Sequence, residues 1–192
     1  MRNHVIVSVV LTASFLLPPL QAIAQAVSIY GSDPAARECY DSARRAVDFD
    51  ETLPYSLESC TQALGRRKLK ARDRAATLVN RGILNAASKN YSKAIQDYDA
   101  ARELYPKYGA IYVNRGNIFF LRETYDSAIA EYTKALEAEM SEYQVAHLNR
   151  GMAHENLGRY QAAEADYRRA LTLAPNWALA EGKLARVLGK MN

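Results

Sequence analysis

From about residue 75 onward, apolar residues recur at steps of three and four, and short polar segments interrupt the pattern at residues 88–90, 122–124 and 157–159. Steps of three and four place apolar side chains along one face of an α-helix. Each polar segment therefore separates two amphipathic helices, and the pattern predicts a series of helical hairpins.

The hairpins repeat in register, because Gly82, Gly116 and Gly151 are separated by 34 and 35 residues. A period of this length is typical of stacked helical repeats, in which one hairpin cannot bury its apolar face without its neighbours. Four further positions repeat after each glycine. Nine residues after it come Tyr91, Tyr125 and Tyr160, and twelve residues after it come Ala94, Ala128 and Ala163. Sixteen residues after it come Tyr98, Tyr132 and Tyr167, and nineteen residues after it come Ala101, Ala135 and Ala170.

These positions resemble the tetratricopeptide repeat family over residues 75–177, with the family's pattern present as Gly82, Ala94, Tyr98, Ala101 and Pro106 and two further copies. The resemblance implies an all-α, right-handed α-solenoid and a non-enzymatic protein-interaction module without a cofactor. Met140 replaces the proline of the second copy, where one extra residue lengthens the spacing, and we expect a looser turn there.

The rest of the chain is assigned from this register. We predict a divergent helical hairpin with a basic connector at residues 27–74, three repeats at 75–108, 109–143 and 144–177, and a capping helix at 178–192. Ala185 follows Gly151 by 34 residues and Cys60 precedes Ala94 by 34, so both flanking segments keep part of the register.

Residues 1–26 have the pattern of a secretory signal peptide: Arg2, then a short apolar run, then small residues at Ala22, Ala24 and Ala26. The apolar run is shorter than the roughly 20 residues of a spanning helix. We therefore expect an exported chain, in the bacterial periplasm, with no transmembrane segment in its mature part. Apolar residues at 49% and charged residues at 24% indicate an ordinary folded domain, and a net charge of +4 does not indicate nucleic acid.

Cys39 and Cys60 are the two cysteines of the chain. An even number in an exported protein favours a disulfide between them. The alternative is a pair of small buried thiols.

The segment V-N-R-G at Val79–Gly82 returns as V-N-R-G at Val113–Gly116 and as L-N-R-G at Leu148–Gly151, once in the first helix of each repeat. Each of the three arginines lies sixteen residues before an acid. Matched charges within one hairpin predict structural ion pairs, and they weaken the alternative of an arginine row for nucleic acid. The predicted pairs are Arg81 with Asp97, Arg115 with Glu131, and Arg150 with Asp166.

The asparagines of the same segments point away from the arginines by about 100°. The resemblance implies that this position lines the inner groove, where amides can hold an extended peptide backbone beside apolar side chains. The alternative is that the asparagines only bond neighbouring helices. The predicted partner-binding residues are Asn80, Ile83, Val113, Asn114, Asn117, Phe120, Leu121, Leu148, Asn149 and Met152.

A run of basic residues at 66–74 is the strongest charge feature of the chain, and it contains Arg66, Arg67, Lys68, Lys70, Arg72 and Arg74. It is either a solvated connector or a contact for an anionic surface or acidic partner. His147 and His154 have no further Cys or His beside them, so we interpret them as packing residues and predict no metal site. The favoured function is a scaffold of the cell envelope that binds a protein or peptide partner, and the alternative is a surface binder that uses the basic run.

Overall fold

The computed structural model describes residues 34–49 and 56–192, so the predicted signal peptide lies outside the described residues. Within these ranges the chain forms nine α-helices and no strand, which confirms the all-α fold class. The helices are α1 (Pro34–Phe49), α2 (Ser56–Gly65), α3 (Ala71–Ala87), α4 (Tyr91–Leu104), α5 (Gly109–Leu121), α6 (Tyr125–Glu137), α7 (Tyr143–Asn156), α8 (Tyr160–Leu173) and α9 (Ala178–Met191). None of the described helices is both long and apolar enough to cross a membrane.

Each repeat is a hairpin, α3 with α4, α5 with α6, and α7 with α8, and the next hairpin packs against it. The turns fall where the polar interruptions predict them. Each turn contains one residue in the left-handed region, Lys89, Glu123 or Gly158, with φ of 60°, 59° and 69°. This conformation reverses the chain directly after the helix, and glycine is the residue that adopts it without steric cost.

The repeated glycines are required by close approach of a tyrosine from the second helix. A Cβ built on Gly116 would lie 2.5 Å from Tyr132 Cε1, and one on Gly151 would lie 2.7 Å from Tyr167 Cε1. Gly82 has the same relation to Tyr98. The three tyrosines are the largest fully buried side chains of the described residues, so each glycine–tyrosine contact centres the core of its hairpin.

The flanking helices extend the stack at both ends. Helices α1 and α2 pack on each other and on α3, and a disulfide joins Cys39 of α1 to the buried Cys60 of α2. At the other end α9 packs on α8 through the buried residues Ala180 and Val187.

The junction after α6 is tied to the loop before α5 at Glu139, directly before the turn near Met140–Tyr143 that the sequence predicts to be looser. Glu139 N donates to Lys107 O, and Gly109 N donates to Glu139 O, both at 2.9 Å. The two loops at the base of the α5–α6 hairpin are therefore bonded to each other. A Cβ on Gly109 would lie 2.8 Å from Met140 Cβ, so the absence of a side chain at Gly109 permits this contact.

Candidate functional site

The predicted partner-binding residues lie on the first helices α3, α5 and α7, but most of them are buried. Phe120 and Leu121 alone among the ten keep partial exposure. The exposed apolar strip expected from the sequence is therefore reduced to these two side chains and the partly exposed Ala110 and Val145. The eight buried residues are Asn80, Ile83, Val113, Asn114, Asn117, Leu148, Asn149 and Met152.

Two of the amides bond neighbouring helices, which was the alternative interpretation. Asn149 Nδ2 of α7 donates to Asn117 Oδ1 of α5 at 3.1 Å. Tyr132 OH of α6 donates to the same oxygen at 2.9 Å. The side chain of Asn117 is thus committed to holding α5, α6 and α7 together.

Asn80 differs from this pair. Its side chain is 3% exposed, and its Oδ1 accepts no hydrogen bond from the residues that the structure describes. Asn149 Oδ1 is in the same state, although its amide nitrogen is bonded. Two amide oxygens at register-equivalent positions therefore have unused acceptor capacity in the interior.

The outer two arginine–acid pairs are closely bonded within their hairpins. Arg81 Nη2 lies 2.6 Å from Asp97 Oδ1, and Asn85 Nδ2 donates to Asp97 Oδ2 at 3.0 Å. Arg150 donates to Asp166 through Nε at 2.9 Å and through Nη2 at 2.8 Å. Both acids are buried, so each guanidinium group places an opposite charge beside a carboxylate in the interior.

The middle pair is looser. Arg115 Nη1 lies 3.3 Å from Glu131 Oε2 without hydrogen-bond geometry. Lys134 Nζ lies 2.7 Å from the other carboxylate oxygen, Oε1. Arg115 Nε also lies 3.5 Å from Asp99 Oδ1, so this arginine is divided between two acids.

His147 has a role that the sequence did not indicate, since its Nδ1 lies 2.9 Å from Asp166 Oδ1. Burial raises the pKa of Asp166, but the hydrogen bonds from His147 and Arg150 outweigh burial and leave that pKa below its ordinary value. Burial lowers the pKa of His154. Across residues 34–49 and 56–192 there is no group of three or more potential ligands that could hold a metal ion.

A charged cluster at the α7–α9 contact was not predicted. Glu155 of α7 has a side chain only 4% exposed, and it accepts hydrogen bonds from Arg186 Nη2 at 2.7 Å and Tyr167 OH at 2.8 Å. Lys190 Nζ lies 3.5 Å from Glu155 Oε1. Burial raises the pKa of Glu155, but the bonds from Arg186 and Tyr167 outweigh it and lower the pKa overall.

The basic run at 66–74 covers the turn after α2 and the first turn of α3, and Arg72 and Arg74 donate side-chain hydrogen bonds to neighbouring groups. Arg74 donates to Leu64 O at 2.6 Å and to Arg66 O at 2.9 Å, and Arg72 Nε donates to Tyr108 OH at 2.9 Å. The remaining cations border an open cavity of about 540 Å³. Its lining consists of Pro34, Arg66, Arg67, Lys68, Leu69, Lys70 and Asp73.

The chain resembles known proteins over the repeats. A lipoprotein NlpI homologue of Haemophilus influenzae is 32% identical over 107 residues, which cover 56% of this chain and 34% of that protein. The chain spans about a third or less of the length of the curated relatives it matches.

Solved structures show the same fold. The tetratricopeptide domain of Arabidopsis OM64 is 29% identical, with a TM-score of 0.57 over 62% of this chain and 97% of that domain. The first such domain of Spaghetti (RPAP3), bound to an HSP90 peptide, is 24% identical, with a TM-score of 0.59 over 62% of this chain and 94% of that one.

Two tetratricopeptide repeat models match residues 79–143 and 145–176, which together cover the three hairpins except the first half of α3. The glycine–tyrosine cores, the left-handed turns and the stacking order agree with these matches. The chain therefore belongs to the tetratricopeptide repeat family.

Proposed function

We propose that this protein is a non-enzymatic interaction module that binds an extended segment of a partner protein along the first helices α3, α5 and α7. The partly exposed side chains Phe120, Leu121 and Val145 form the apolar part of this surface. The buried amide oxygens of Asn80 on α3 and Asn149 on α7 supply the polar part.

The observation that carries the proposal is that the amide oxygen of Asn80 is buried and accepts no hydrogen bond from the described residues. A buried amide without a hydrogen bond costs about 1–3 kcal/mol, and an apolar side chain of similar shape avoids that cost. Asn80 and Asn149 nevertheless have amide oxygens in the interior without a donor among the described residues. A peptide backbone supplies N–H donors at regular spacing, so it can satisfy acceptors that recur along the stack.

The comparison proteins support the same class of partner. The RPAP3 domain has been solved with an HSP90 peptide. In this chain the acceptors are buried, so we expect side chains around them to move when a peptide binds. A required rearrangement slows association below the rate typical of preformed surfaces.

The test uses Asn80→Leu in the full chain. Random peptides about ten residues long, about 33 Å when extended, are selected by display against the unchanged protein. The affinity of the enriched peptides is then measured by fluorescence anisotropy. We expect Asn80→Leu to weaken peptide binding while raising the thermal midpoint, because it removes both the acceptor and its burial cost.

Asn85→Leu is the matched control on the same helix. Asn85 is also buried, but its Nδ2 donates to Asp97 Oδ2. This substitution should lower the thermal midpoint and leave the affinity of the folded protein unchanged. Failure to enrich any peptide, or equal affinity of Asn80→Leu and the unchanged protein, would show that the proposal is wrong.

We further propose that the module works in the cell envelope. The signal-like pattern of residues 1–26 and the Cys39–Cys60 disulfide support this location, because disulfides persist in oxidising compartments. Cell fractionation combined with thiol alkylation tests the location. Recovery in the cytoplasmic fraction with both thiols reduced would contradict it.

The cavity beside residues 66–70 supports a second candidate function, binding of an anionic surface by the basic run. Exposed charges are screened strongly as salt rises, whereas contacts of buried amides and apolar side chains are not. Co-sedimentation with vesicles containing phosphatidylglycerol should therefore decline with salt if this candidate is right. No co-sedimentation at low salt would eliminate it.

A further inference from the structure

The junction between α2 and α3 differs from the later junctions of the stack. Helix α2 ends at Gly65, whereas the register of α4, which ends at Leu104, would place its last residue at Lys70. Residues 66–70 therefore stand where α4 has its last turn, and they form an open loop instead. This loop borders the cavity of about 540 Å³, and its exposed side chains include Arg67, Lys68 and Lys70.

The loop between α4 and α5 lies beside the basic run. Arg72 Nε of α3 donates to Tyr108 OH at 2.9 Å, and this bond joins the start of α3 to residues 104–108. The ring centroids of Tyr105 and Tyr108 lie 4.5 Å apart, and both side chains are partly exposed. Leu104 ends α4 directly before this tyrosine pair and is 38% exposed. An exposed leucine and two tyrosines therefore adjoin the cations of the basic run.

The basic run and the loop at 104–108 together have an excess of positive charge. The basic run contains six cations and one acid, Asp73, and the second loop adds Lys107. Glu103 and Glu139 border the second loop. With these acids included, seven cations stand against three acids, which leaves four positive charges. Such an excess attracts an anionic membrane surface, to which each nearby lysine or arginine contributes binding free energy.

The third repeat has an exposed leucine at the position equivalent to Leu104. Leu104 follows Gly82 by 22 residues, and Leu173 follows Gly151 by 22. Leu173 is 42% exposed. The junction after it, at 174–177, has no charged residue, and the preceding junction at 137–142 contains three glutamates and no cation. Of the two leucines, Leu104 is therefore the one that adjoins a basic loop.

We propose that the basic run and the loop at 104–108 bind the surface of an anionic phospholipid bilayer, with Leu104 inserted below the head groups. The inference rests on the second candidate function and deepens it, and it is independent of the peptide-binding proposal. The cations bind head-group phosphates, and tyrosine rings are stable at the boundary between head groups and acyl chains. An exposed leucine gains free energy by entering the apolar layer, whereas a hydrophilic acidic protein segment offers it no such environment.

The test measures co-sedimentation at low salt with vesicles of phosphatidylglycerol and phosphatidylcholine, and with vesicles of phosphatidylcholine alone as the neutral control. The protein is used as purified after expression, and every variant has the same N-terminus. Leu104→Ser should weaken binding to the anionic vesicles by about fivefold, because it removes the apolar area that enters the bilayer. Leu173→Ser is the matched control and should change binding by less than about twofold, because that position stays in water. Thermal midpoints show whether each variant is folded.

Tryptophan fluorescence reports insertion directly. Leu104→Trp and Leu173→Trp each add one indole and retain the native Trp177, so the difference between the two variants reports on the added side chain. Anionic vesicles should shift the emission of Leu104→Trp to shorter wavelength, and lipids brominated on their acyl chains should quench it. Leu173→Trp should show neither change.

Equal binding of Leu104→Ser and the unchanged protein to anionic vesicles would show head-group binding without insertion. The inference would then be wrong, and the second candidate function would stand. Equal weakening by Leu173→Ser, or equal quenching of the two tryptophan variants, would also overturn the assignment to the loop at 104–108. Failure to bind vesicles would overturn both membrane proposals, and binding of fluorescein-labelled polyglutamate would then assign the basic run to an acidic protein. The peptide selection with Asn80→Leu is unaffected by any of these outcomes.

Discussion

The Arg150–Asp166 and Arg115–Glu131 pairs differ in hydrogen bonding, and we expect their coupling energies to differ. Arg150 donates twice to Asp166, whose side chain is 7% exposed. Arg115 lies 3.3 Å from Glu131 without a hydrogen bond and shares that acid with Lys134. We expect the Arg150–Asp166 pair to be much more strongly coupled.

The perturbation is a double-mutant cycle with Arg150→Met, Asp166→Ala and both changes together. Methionine retains much of the apolar stem and removes the guanidinium. Each single change leaves one charge of the pair without its partner. Leaving the buried Asp166 carboxylate without Arg150 costs more free energy than leaving Arg150 without Asp166, although His147 remains beside Asp166.

We expect a free energy of unfolding lower by about 2–3 kcal/mol for each single change, because the 23% exposure of Arg150 reduces the usual cost of breaking a buried pair. The coupling should be about 2 kcal/mol. For a domain of this size that coupling corresponds to about 4–8 °C in thermal midpoint. The same cycle with Arg115→Met and Glu131→Ala should give less than about 1 kcal/mol.

Urea unfolding followed by circular dichroism at neutral and acidic pH measures both cycles. The pKa of Asp166 is lowered in the folded state, so the unfolded state takes up its proton first as pH falls. The coupling is fully present above the ordinary aspartate pKa of about 3.9 and is lost as pH falls through the lower folded value. Additive changes at Arg150 and Asp166, or equal coupling in the two cycles, would refute this account.

Two further predictions concern glycine. Lys89→Gly and Glu123→Gly should each raise the free energy of unfolding by about 1 kcal/mol, because these exposed residues have φ near 60°. The equivalent turn of the third repeat already has glycine, Gly158. Unchanged urea midpoints would contradict a steric cost at these turns. Gly116→Ala should lower the free energy of unfolding by about 1–2 kcal/mol, because the added Cβ meets the buried Tyr132 ring. Gly182→Ala on α9, where nothing lies within 4 Å of an added Cβ, should raise it by up to about 1 kcal/mol. A change of the same sign in both variants would contradict the packing explanation.

Sequence periodicity was sufficient to predict the hairpins, because the glycine, alanine and tyrosine positions are set by contacts within each repeat. The arginine–acid partners could be predicted for the same reason. The burial of Asn117 and Asn149 could not, since it depends on the distance between α5 and α7 and on the hydroxyl of Tyr132. Exposure of a groove is a property of how hairpins stack, and a repeating pattern does not specify it.

The cluster around Glu155 had a weak sequence signal. Lys183 stands in the register of the asparagines, although the apolar face of α9 has the pattern of a capping helix. Glu155 on α7 and Arg186 on α9 are 31 residues apart, with the whole of α8 between them. No short-range pattern indicates a contact of this kind.

The backbone hydrogen bonds that join Glu139 to Lys107 and Gly109 have a consequence for how such chains change during evolution. The additional residue lies between α6 and α7, and the glycine, alanine and tyrosine of the third repeat resume their usual places after it. The two backbone bonds hold the start of α5 to the end of α6 at Glu139, directly before the loop that carries the additional residue. Contacts therefore keep the repeats in phase, and the number of residues between them can vary at this loop without disturbing the stack.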